Sequence, residues 1–333
     1  MAYITLNKNN FFNNLDTIAN HSKSRDKIAI VLKDNAYGHG LSEIASLACE
    51  YGIKKAVVRT QDEAQIIEDF FEYILVLSEI PNKPSSKMRY TINDIESISK
   101  FPKDTLVELK VDSGMHRNGI AMNELHEAFI QIKKAELVLE AVFTHHRSAD
   151  ELTSEWFWQN DNFKKVKTEA KYLAEEFSFE PLRFHSANSA SLFRTESFDE
   201  DMARVGIAAY GCLEDSKKLS PVLSLYADKI SSRELKKGQR VGYGGTFVAS
   251  EDCVVSNYNF GYGDGFLRSS SKDFITPDER QLAGRISMDN SSFIAKEETL
   301  LIFDDASQAA KSAGTIAYEV LTSLKPSIKR EIV

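Results

Sequence analysis

The sequence predicts an α/β fold in which an N-terminal (β/α)8 barrel is followed by a mainly β C-terminal domain. Short apolar runs alternate with segments of helical periodicity roughly eight times before Gly211, and this alternation is typical of a closed parallel barrel. After Leu213 the chain becomes alternating and glycine-punctuated, which is typical of strands and turns. We therefore place the barrel domain at residues 1–213 and the β domain at residues 214–333.

Apolar and β-branched runs predict the individual barrel strands, and apolar residues at helical spacing predict the helices between them. After a short strand at residues 4–6, the barrel strands are expected at residues 28–32, 56–58, 73–77, 88–92, 106–111, 137–145, 182–185 and 202–210. Helices are expected at residues 9–20, 41–51, 61–71, 94–100, 123–135 and 155–177, with a further helix starting at Ser189. In the C-terminal part, the strand pattern lies in VLSLYADKI, QRVGYGGTFVA, CVVSNYNFGYGDGF and ERQLAGRISMDNSSFIA.

The composition is that of an ordinary globular protein, with 42% hydrophobic and 27% charged residues. A net charge of −8 argues against nucleic acid or an anionic membrane as partner. No apolar run approaches the roughly 20 residues that span a bilayer, and the N-terminus lacks the pattern of a signal peptide. Cys49, Cys212 and Cys253 are odd in number and widely spaced, so we expect a reducing, cytoplasmic location and no metal site of the zinc type.

Lys33 follows the apolar strand 28–32 and precedes a turn-forming segment, DNAYGHG. A lysine at the mouth of a buried strand is costly unless it is neutral, paired or used covalently. Desolvated lysines form imines with aldehydes, so Lys33 is a candidate for covalent chemistry. The alternative is a structural lysine whose side chain reaches solvent at the strand end.

Polar side chains also follow the other predicted strands, where barrel enzymes carry their chemistry. They are Tyr37, Lys110, Asp112, His116, Arg117, His145, His146, Arg147, His185, Asn188, Ser189, Arg204 and Gly206. Cations and imidazoles at one edge of an acidic protein indicate a site for an anion. The arginines have the alternative of structural ion pairs. A metal pair at His145 and His146 is disfavoured, because adjacent residues of a strand point to opposite faces.

The segment KDNAYGHG resembles the cofactor-lysine segment of alanine racemases. The likeness continues, in the family's order, through VDSGMHRNGI, FTHHRSAD, HSANSA, ARVGIAAYG, GYGGTFVA, FGYGDGFLR, GRISMDN and GTIAYEVLTSLKPSIKR. The family consists of fold type III pyridoxal-phosphate enzymes with an N-terminal barrel and a C-terminal β domain. The resemblance implies pyridoxal 5'-phosphate as cofactor and a homodimer whose active sites combine residues of both chains.

The resemblance also implies the catalytic roles. Lys33 would bind the cofactor covalently and serve as the base on one face of the substrate, and Tyr243 of a second copy would serve the other face. Arg204 would face the pyridine nitrogen of the cofactor. Arg117, with the backbone amide of Met288 from the other chain, would bind the substrate carboxylate.

Further residues match the family's supporting positions. The cofactor phosphate would be held by Tyr37, Ser189, Gly206, Ile207 and Tyr318. Lys110 matches a lysine that carries a carbamate in many members. His145 would lie beside the cofactor, and Tyr262 and Asp289 would line the substrate access route.

The activity implied is the interconversion of L-alanine and D-alanine by two bases, supplying D-alanine for peptidoglycan. The chain departs from the family pattern at Val205, Gly245 and Ser287 and at the pair His146–Arg147, and these positions bear on the access route and the side-chain pocket.

Three alternatives remain open at the level of sequence. One is a racemase of another amino acid, such as serine or lysine. Another is a barrel protein that binds pyridoxal phosphate without turnover, but such proteins lack the β domain that carries Tyr243 and Tyr318 here. The third is a decarboxylase on a similar scaffold, whose motifs differ from those above.

Overall fold

The computed structural model describes residues 2–213 and 218–333, and the chain divides into two compact units. One unit, called the barrel unit below, comprises Leu15–Asp34 and Ile44–Ala209. The other, called the β unit, comprises Met1–Asn14, Asn35–Glu43 and Tyr210–Val333. The predicted boundary between residues 213 and 214 adjoins residues 214–217, which lie outside the described residues, so the boundary stays a prediction.

Strands and helices alternate along most of the barrel unit, and strands predominate in the β unit. In chain order the strands are β1 (Tyr3–Leu6), β2 (Ile28–Val31), β3 (Lys55–Val58), β4 (Tyr73–Val76), β5 (Met88–Ile92), β6 (Leu106–Asp112), β7 (Ile120–Ala121), β8 (Val138–Phe143), β9 (Arg183–His185), β10 (Ala203–Val205), β11 (Leu223–Leu235), β12 (Arg240–Val241), β13 (Phe247–Val248), β14 (Cys253–Tyr258), β15 (Ser291–Phe293), β16 (Thr299–Phe303) and β17 (Lys329–Ile332). The α-helices are α1 (Lys8–Ser22), α2 (Lys33–Tyr37), α3 (Leu41–Tyr51), α4 (Gln61–Ile67), α5 (Leu125–Lys134), α6 (Glu155–Glu176), α7 (Ser189–Arg194), α8 (Ala306–Ala313) and α9 (Ala317–Ser323). Short 3-10 helices lie at Arg25–Lys27, Ile95–Lys100, Met122–Glu124, Tyr243–Gly245, Tyr262–Asp264 and Arg268–Ser271.

The barrel unit contains a parallel sheet in the order β10-β2-β3-β4-β5-β6-β8-β9, with β7 beside β6. Two hydrogen bonds join its ends, from the Asp201 amide to the Phe184 carbonyl (3.1 Å) and from the Arg204 amide to the Ala187 carbonyl (2.9 Å). The sheet is therefore a nearly closed barrel, and the predicted fold class is confirmed. Residues of β2 and β4 are buried without interruption, which is why these strands read as continuous apolar runs.

The strand predicted at residues 202–210 is shorter in the structure, where β10 ends at Val205. The chain then turns, and the Ala209 amide donates to the Gly206 carbonyl at 2.8 Å. The apolar run was misleading because residues 206–209 are buried in a turn rather than in the sheet.

The β unit is built around β11, in a six-stranded sheet of order β15-β14-β11-β1-β17 with β16 also paired to β11. The N-terminal strand β1 lies in this sheet, antiparallel to β11 and parallel to β17. Its side chains alternate between half-buried and buried, as expected for a strand with one covered face. The rings of Tyr3 and Tyr226 stack across the pair, with centroids 5.1 Å apart. The predicted mainly β domain is confirmed.

Within the described part of the chain, no helix combines the length and apolar character that crossing a membrane requires.

Candidate active site

Lys33 follows β2 directly and opens α2, a single helical turn with a left-handed backbone. The φ angles of its next four residues are positive: 54° at Asp34, 56° at Asn35, 52° at Ala36 and 50° at Tyr37. A non-glycine residue in this region costs roughly 1–2 kcal/mol, so four in succession require support from their surroundings. The sequence indicated a turn here, but its glycines lie after the strained residues and did not reveal the left-handed path.

Hydrogen bonds on each side of the turn hold its backbone. In the barrel unit, the Asp34 amide donates to Oε1 of Glu63 at 2.6 Å, and the Asp34 carboxylate lies 3.1 Å from Nη1 of Arg59. In the β unit, Oδ1 of Asn35 accepts the Leu41 amide at 2.9 Å. These contacts define the backbone at the position from which the Lys33 side chain departs.

Arg204 lies on β10, the strand beside β2, and its position in the register is opposite Ala29. Its side chain is only 6% exposed. The guanidinium donates to the carbonyls of Thr144 (2.7 Å) and Ser186 (3.2 Å) and to Nδ1 of His185. Burial lowers the pKa of Arg204 to about 10, which still leaves it protonated at neutral pH. Arg204 is therefore a fixed, buried cation.

His185 connects Arg204 to a buried carboxylate. Because Nδ1 of His185 accepts from Arg204, its Nε2 carries the proton and donates to Oε2 of Glu108 at 2.9 Å. Burial lowers the pKa of His185 to about 4, so the imidazole is neutral. Glu108 also accepts from the Tyr73 hydroxyl and from Nη2 of Arg183. Burial raises the pKa of Glu108, but these donors outweigh it and the pKa lies below its usual value.

Glu108, Tyr73 and Arg183 were not predicted as site residues from the sequence. The one available signal was a carboxylate in the middle of the apolar strand LVELKV, since an unpaired charge there would be costly. His185 was recognised at a strand end but received no role.

Three cations of the barrel unit lie within electrostatic range of Lys110. Burial lowers the pKa of Lys110 to about 8, and the charges of Arg117, Arg204 and Lys33 add to this effect. The carboxylate of Asp112 opposes it and does not cancel it. The predicted anion site therefore has a physical basis, because a bound anion would relieve this mutual repulsion.

The two adjacent histidines have different surroundings. Nδ1 of His145 lies 3.5 Å from Nη2 of Arg204, and burial followed by the Arg204 and Lys110 charges holds its pKa well below the usual range. Nδ1 of His146 lies 2.8 Å from Oγ of Ser191, and burial lowers its pKa to about 4. Both imidazoles are neutral near pH 7, and only His145 lies beside Arg204.

The barrel residues expected at the cofactor phosphate lie together. Oγ of Ser189, at the start of α7, accepts the amides of Gly206 (3.1 Å) and Ala208 (3.3 Å), with Ile207 between them. The hydroxyl therefore ties the loop after β9 to the turn after β10.

Two tyrosines of the β unit also lie together. The ring centroids of Tyr37 and Tyr318 are 5.6 Å apart. Gly38, with φ +77°, packs so closely on α9 that a Cβ would lie 1.9 Å from the Leu321 carbonyl oxygen. Arg330 donates to the Gly38 carbonyl through Nε (3.0 Å) and Nη2 (2.8 Å). Glycine at position 38 thus permits the backbone approach that brings the Tyr37 and Tyr318 rings into contact.

The remaining expected residues are presented on the surface of the β unit. Tyr243 is 65% exposed, Met288 55% and Tyr262 43%, and Asp289 is exposed as well. The Tyr262 amide donates to the Ser287 carbonyl at 2.9 Å, and the Gly263 amide to the Met288 carbonyl at 2.7 Å. These bonds hold the Tyr262 turn against the segment that carries Met288 and Asp289.

A nearly closed parallel barrel with a lysine after its first strand, a cation cluster at the strand ends and a β domain defines a class of two-domain barrel enzymes. The family described as alanine racemase, N-terminal domain, matches residues 6–214, and the family described as alanine racemase, C-terminal domain, matches residues 222–332. The chain belongs to the alanine racemase family and is a racemase.

Relatives and solved structures agree with this membership. The chain is 45% identical to the alanine racemase of a Nitratiruptor species, covering 99% of each chain, and 43% identical to that of Campylobacter curvus, covering 100% of each. Among solved structures, alanine racemase of Clostridium difficile 630 is similar with a TM-score of 0.89 at 26% identity, over 100% of this chain and 95% of that one. Alanine racemase of Bacillus anthracis with bound L-Ala-P has a TM-score of 0.86 at 26% identity and the same coverage.

Proposed function

We propose that the chain interconverts L-alanine and D-alanine with pyridoxal 5'-phosphate as cofactor and with Lys33 and Tyr243 as the two bases. The observation that carries the proposal is the placement of buried, protonated Arg204 on the strand beside β2, which leads to Lys33. A permanent cation near the lysine that would hold the cofactor suits racemisation.

The residues present fit this cofactor. Lys33 would hold it through its amine, and the cation cluster suits an anion. By the family pattern, Ser189, Gly206 and Ile207 would hold the phosphate, and so would Tyr37 and Tyr318. When bound, pyridoxal phosphate withdraws electrons from the substrate Cα, which makes the Cα proton acidic.

Racemisation requires one base to remove the Cα proton and an acid on the opposite face to deliver another. Lys33 supplies an amine on one side. Tyr243 supplies a hydroxyl, and its 65% exposure in the single chain supports its contribution to the site of a second copy. Met288, 55% exposed, would offer its backbone amide to the substrate carboxylate across the same dimer contact, and Tyr262 and Asp289 would line the access route.

Arg204 explains the choice of reaction. A guanidinium does not give up its proton, so a heterocyclic nitrogen placed against it stays unprotonated. Electron withdrawal by the bound cofactor would then be weaker, and this would favour return of the proton to the substrate Cα rather than to another carbon. His185 supports this role because it contacts the guanidinium and is itself held by Glu108, and the charges of Glu200 and Glu108 favour the protonated guanidinium. His145 lies beside the same guanidinium.

Arg117 would bind the substrate carboxylate, and Lys110 would act through it. A Lys110 pKa of about 8 leaves part of the amine neutral near pH 7, and a neutral amine reacts with carbon dioxide to form a carbamate. We propose this modification because the carbamate anion would pair with Arg117 and orient it.

A solved relative supports the proposed substrate, and the cysteines of this chain support the proposed location. The Bacillus anthracis enzyme holds L-Ala-P, which supports alanine as the substrate here. The cysteines Cys49, Cys212 and Cys253 are free, which supports a cytoplasmic location. We propose that the D-alanine produced enters peptidoglycan.

The test is conversion of single L-amino acids by the pyridoxal-phosphate-loaded protein, with product chirality read by chiral chromatography. D-alanine should form rapidly from L-alanine, and the Lys33→Ala variant should form none. Faster conversion of serine or lysine would show that the protein is a racemase of that amino acid instead. Absence of conversion with every amino acid, despite bound cofactor, would contradict the proposal.

Sharing of the active site has its own test. The inactive variants Lys33→Ala and Tyr243→Phe are mixed under conditions of subunit exchange. Mixed dimers should regain part of the activity, because one of their two sites carries both bases. If none returns although mixed dimers form, each site is confined to one chain.

A further inference from the structure

We propose that Arg147 is a positioning residue for substrate binding: it anchors the loop of residues 113–117, called the Arg117 loop, and so holds Arg117 in place for the substrate carboxylate. This inference rests on the role proposed above for Arg117. Arg147 itself follows β8 and the histidine pair, and nothing in the chemistry requires it to touch the substrate.

The Arg147 guanidinium bridges two elements. Its Nη1 donates to the carbonyl of Gly114 at 2.9 Å, and its Nη2 donates to the carboxylate of Glu155 at the start of α6. The guanidinium carbon lies 5.8 Å from the centre of the Trp158 ring. The Arg147 amide also donates to Oε1 of Gln159 at 2.9 Å. Backbone and side chain of Arg147 are thus both held by α6, and one guanidinium nitrogen is directed at the Arg117 loop.

The Arg117 loop packs closely on α6 where Arg147 contacts it. Gly114 has φ +136°, and a Cβ there would lie 2.2 Å from the Trp158 ring. The carbonyl that Arg147 binds therefore belongs to the residue that touches the ring beside the Arg147 guanidinium. One packed cluster therefore contains Gly114, Arg147, Glu155 and Trp158. Gly114 is the member that belongs to the loop, three positions before Arg117 in the sequence.

Other contacts also hold the loop, on both sides of Gly114: Nδ1 of His116 lies 3.8 Å from the Asp112 carboxylate, and the Gly119 amide donates to the Asn93 carbonyl at 2.8 Å. Oδ1 of Asp112 accepts the amides of Gly114 and Met115, each at 2.8 Å. Nδ2 of Asn162 donates to the Ser113 carbonyl at 3.1 Å. The chain then passes through His116, with φ +55°, before reaching Arg117. These side chains hold the backbone of residues 113–115, and Arg147 supplies the guanidinium among these contacts.

Repulsion between Arg117 and Lys110 explains why the Arg117 loop needs to be held in place. Arg117 is exposed, and its charge lowers the pKa of Lys110, so the two cations repel each other before a carbamate or a substrate neutralises them. Repulsion favours displacement of Arg117 towards solvent. A loop whose backbone is held at Gly114 resists this displacement, and the binding geometry is then formed before the substrate arrives.

A purely structural role is the competing explanation. Arg147 and Glu155 are 37% and 41% exposed, and an ion pair at that exposure contributes little to stability. Under that explanation, substitution would shift the thermal midpoint slightly and leave substrate binding unchanged. Arg280 and Glu297 in the β unit provide a matched control, because this pair has a 2.6 Å contact and exposures of 43% and 39%.

The experiment compares Arg147→Gln, Arg147→Lys, Glu155→Gln and Arg280→Gln as cofactor-loaded proteins. Arg147→Gln should raise KM for L-alanine and the inhibition constant of propionate about tenfold, with kcat changed less than about twofold. Arg147→Lys has a single ammonium group in place of the guanidinium. Its KM and inhibition constant should therefore lie between those of the wild type and those of Arg147→Gln. Glu155→Gln should raise the same two constants by a smaller factor. If Arg147→Gln does not fold, Glu155→Gln serves as the test in its place. Arg280→Gln should match the wild type.

Amide hydrogen exchange gives a readout that does not depend on turnover. Amides of residues 114–117 should exchange faster in Arg147→Gln than in wild type, and those of β11 should not change. Wild-type KM, propionate inhibition and exchange in Arg147→Gln would overturn the inference while leaving the racemase proposal intact. If the wild type racemised no amino acid, the proposed function would fail, and propionate binding and exchange would still decide whether Arg147 anchors the loop.

Discussion

Nε2 of His185 lies 2.9 Å from Oε2 of Glu108, and both side chains are almost completely buried. The other ring nitrogen of His185 faces Arg204. A neutral imidazole therefore connects a buried carboxylate to a buried guanidinium. The carboxylates of Glu200 and Glu108 both favour the charged guanidinium, so the cation can remain buried without direct solvation.

Glu108→Gln should destabilise the protein by about 3–5 kcal/mol, because it removes the buried carboxylate that accepts from His185, Tyr73 and Arg183. The control is Glu140→Gln, whose carboxylate lies 2.9 Å from Arg89 and 2.7 Å from Arg183 and is 24% exposed. This control should cost about 1 kcal/mol. Urea unfolding of the full-length protein measures both, and equal losses would contradict the role assigned to Glu108.

The pH dependence of stability should follow the buried histidines. Burial lowers the pKa of His39 from 6.5 to about 4. Between these values the unfolded chain binds a proton that the folded chain does not, so stability falls as the pH falls from 6.5 towards 4. For His39 the loss between pH 7 and pH 5 is about 2 kcal/mol.

His39→Gln removes this titrating group, so the variant should lose less stability than the wild type on acidification. The measurement is the free energy of unfolding at pH 7 and pH 5. His185 and His146 retain their own low pKa values, so part of the slope remains. An identical pH dependence in variant and wild type would show that His39 does not remain neutral in the folded chain.

Gly38→Ala should be strongly destabilising, because its Cβ would lie 1.9 Å from the Leu321 carbonyl oxygen and its φ is +77°. The matched control is Gly238→Ala, with φ +87° and no atom within 4 Å of its Cβ. The control should cost about 1 kcal/mol for the backbone conformation alone, and Gly38→Ala about 2–3 kcal/mol more for the clash. Thermal unfolding measures both. Similar midpoints would mean that the contact between Gly38 and α9 is not close.

Lys110 should carry a carbamate whose formation increases with pH through about 8, because only the neutral amine reacts. Carbon-13 NMR in the presence of labelled bicarbonate measures it. A carbamate resonance should appear in the wild type and be missing from Lys110→Arg. A wild-type spectrum identical to that of the variant would contradict the modification.

Local patterns were sufficient to predict the barrel and several elements closely. Helix α3 occupies the predicted residues 41–51, because its apolar face has helical spacing and Gly52 follows it. The partners of β1 were not predictable in this way, because its pairing with β11 and β17 joins distant parts of the chain. The left-handed turn after Lys33 was also not apparent, since its four residues are not glycines.

Site residues that directly follow a strand could be predicted from the sequence. Residues that only position another site residue could not. The loops after β9 and β10 were expected to supply Ser189 and Gly206. In the structure, the Ser189 hydroxyl accepts a hydrogen bond from the Gly206 amide. Glu108 lies within a strand and acts through His185, so its position in the sequence gave it no functional signature. The Arg147 contacts depend likewise on the packing of α6 against a loop.

The most direct test of the two-base mechanism is the α-deuterium content of the first D-alanine formed from protiated L-alanine in heavy water. Removal by one base and delivery by another should place solvent deuterium in nearly every early D-alanine molecule, while the remaining L-alanine stays largely protiated. Early D-alanine that retains the original proton would show that one group carries it across. That result would contradict the separate roles of Lys33 and Tyr243.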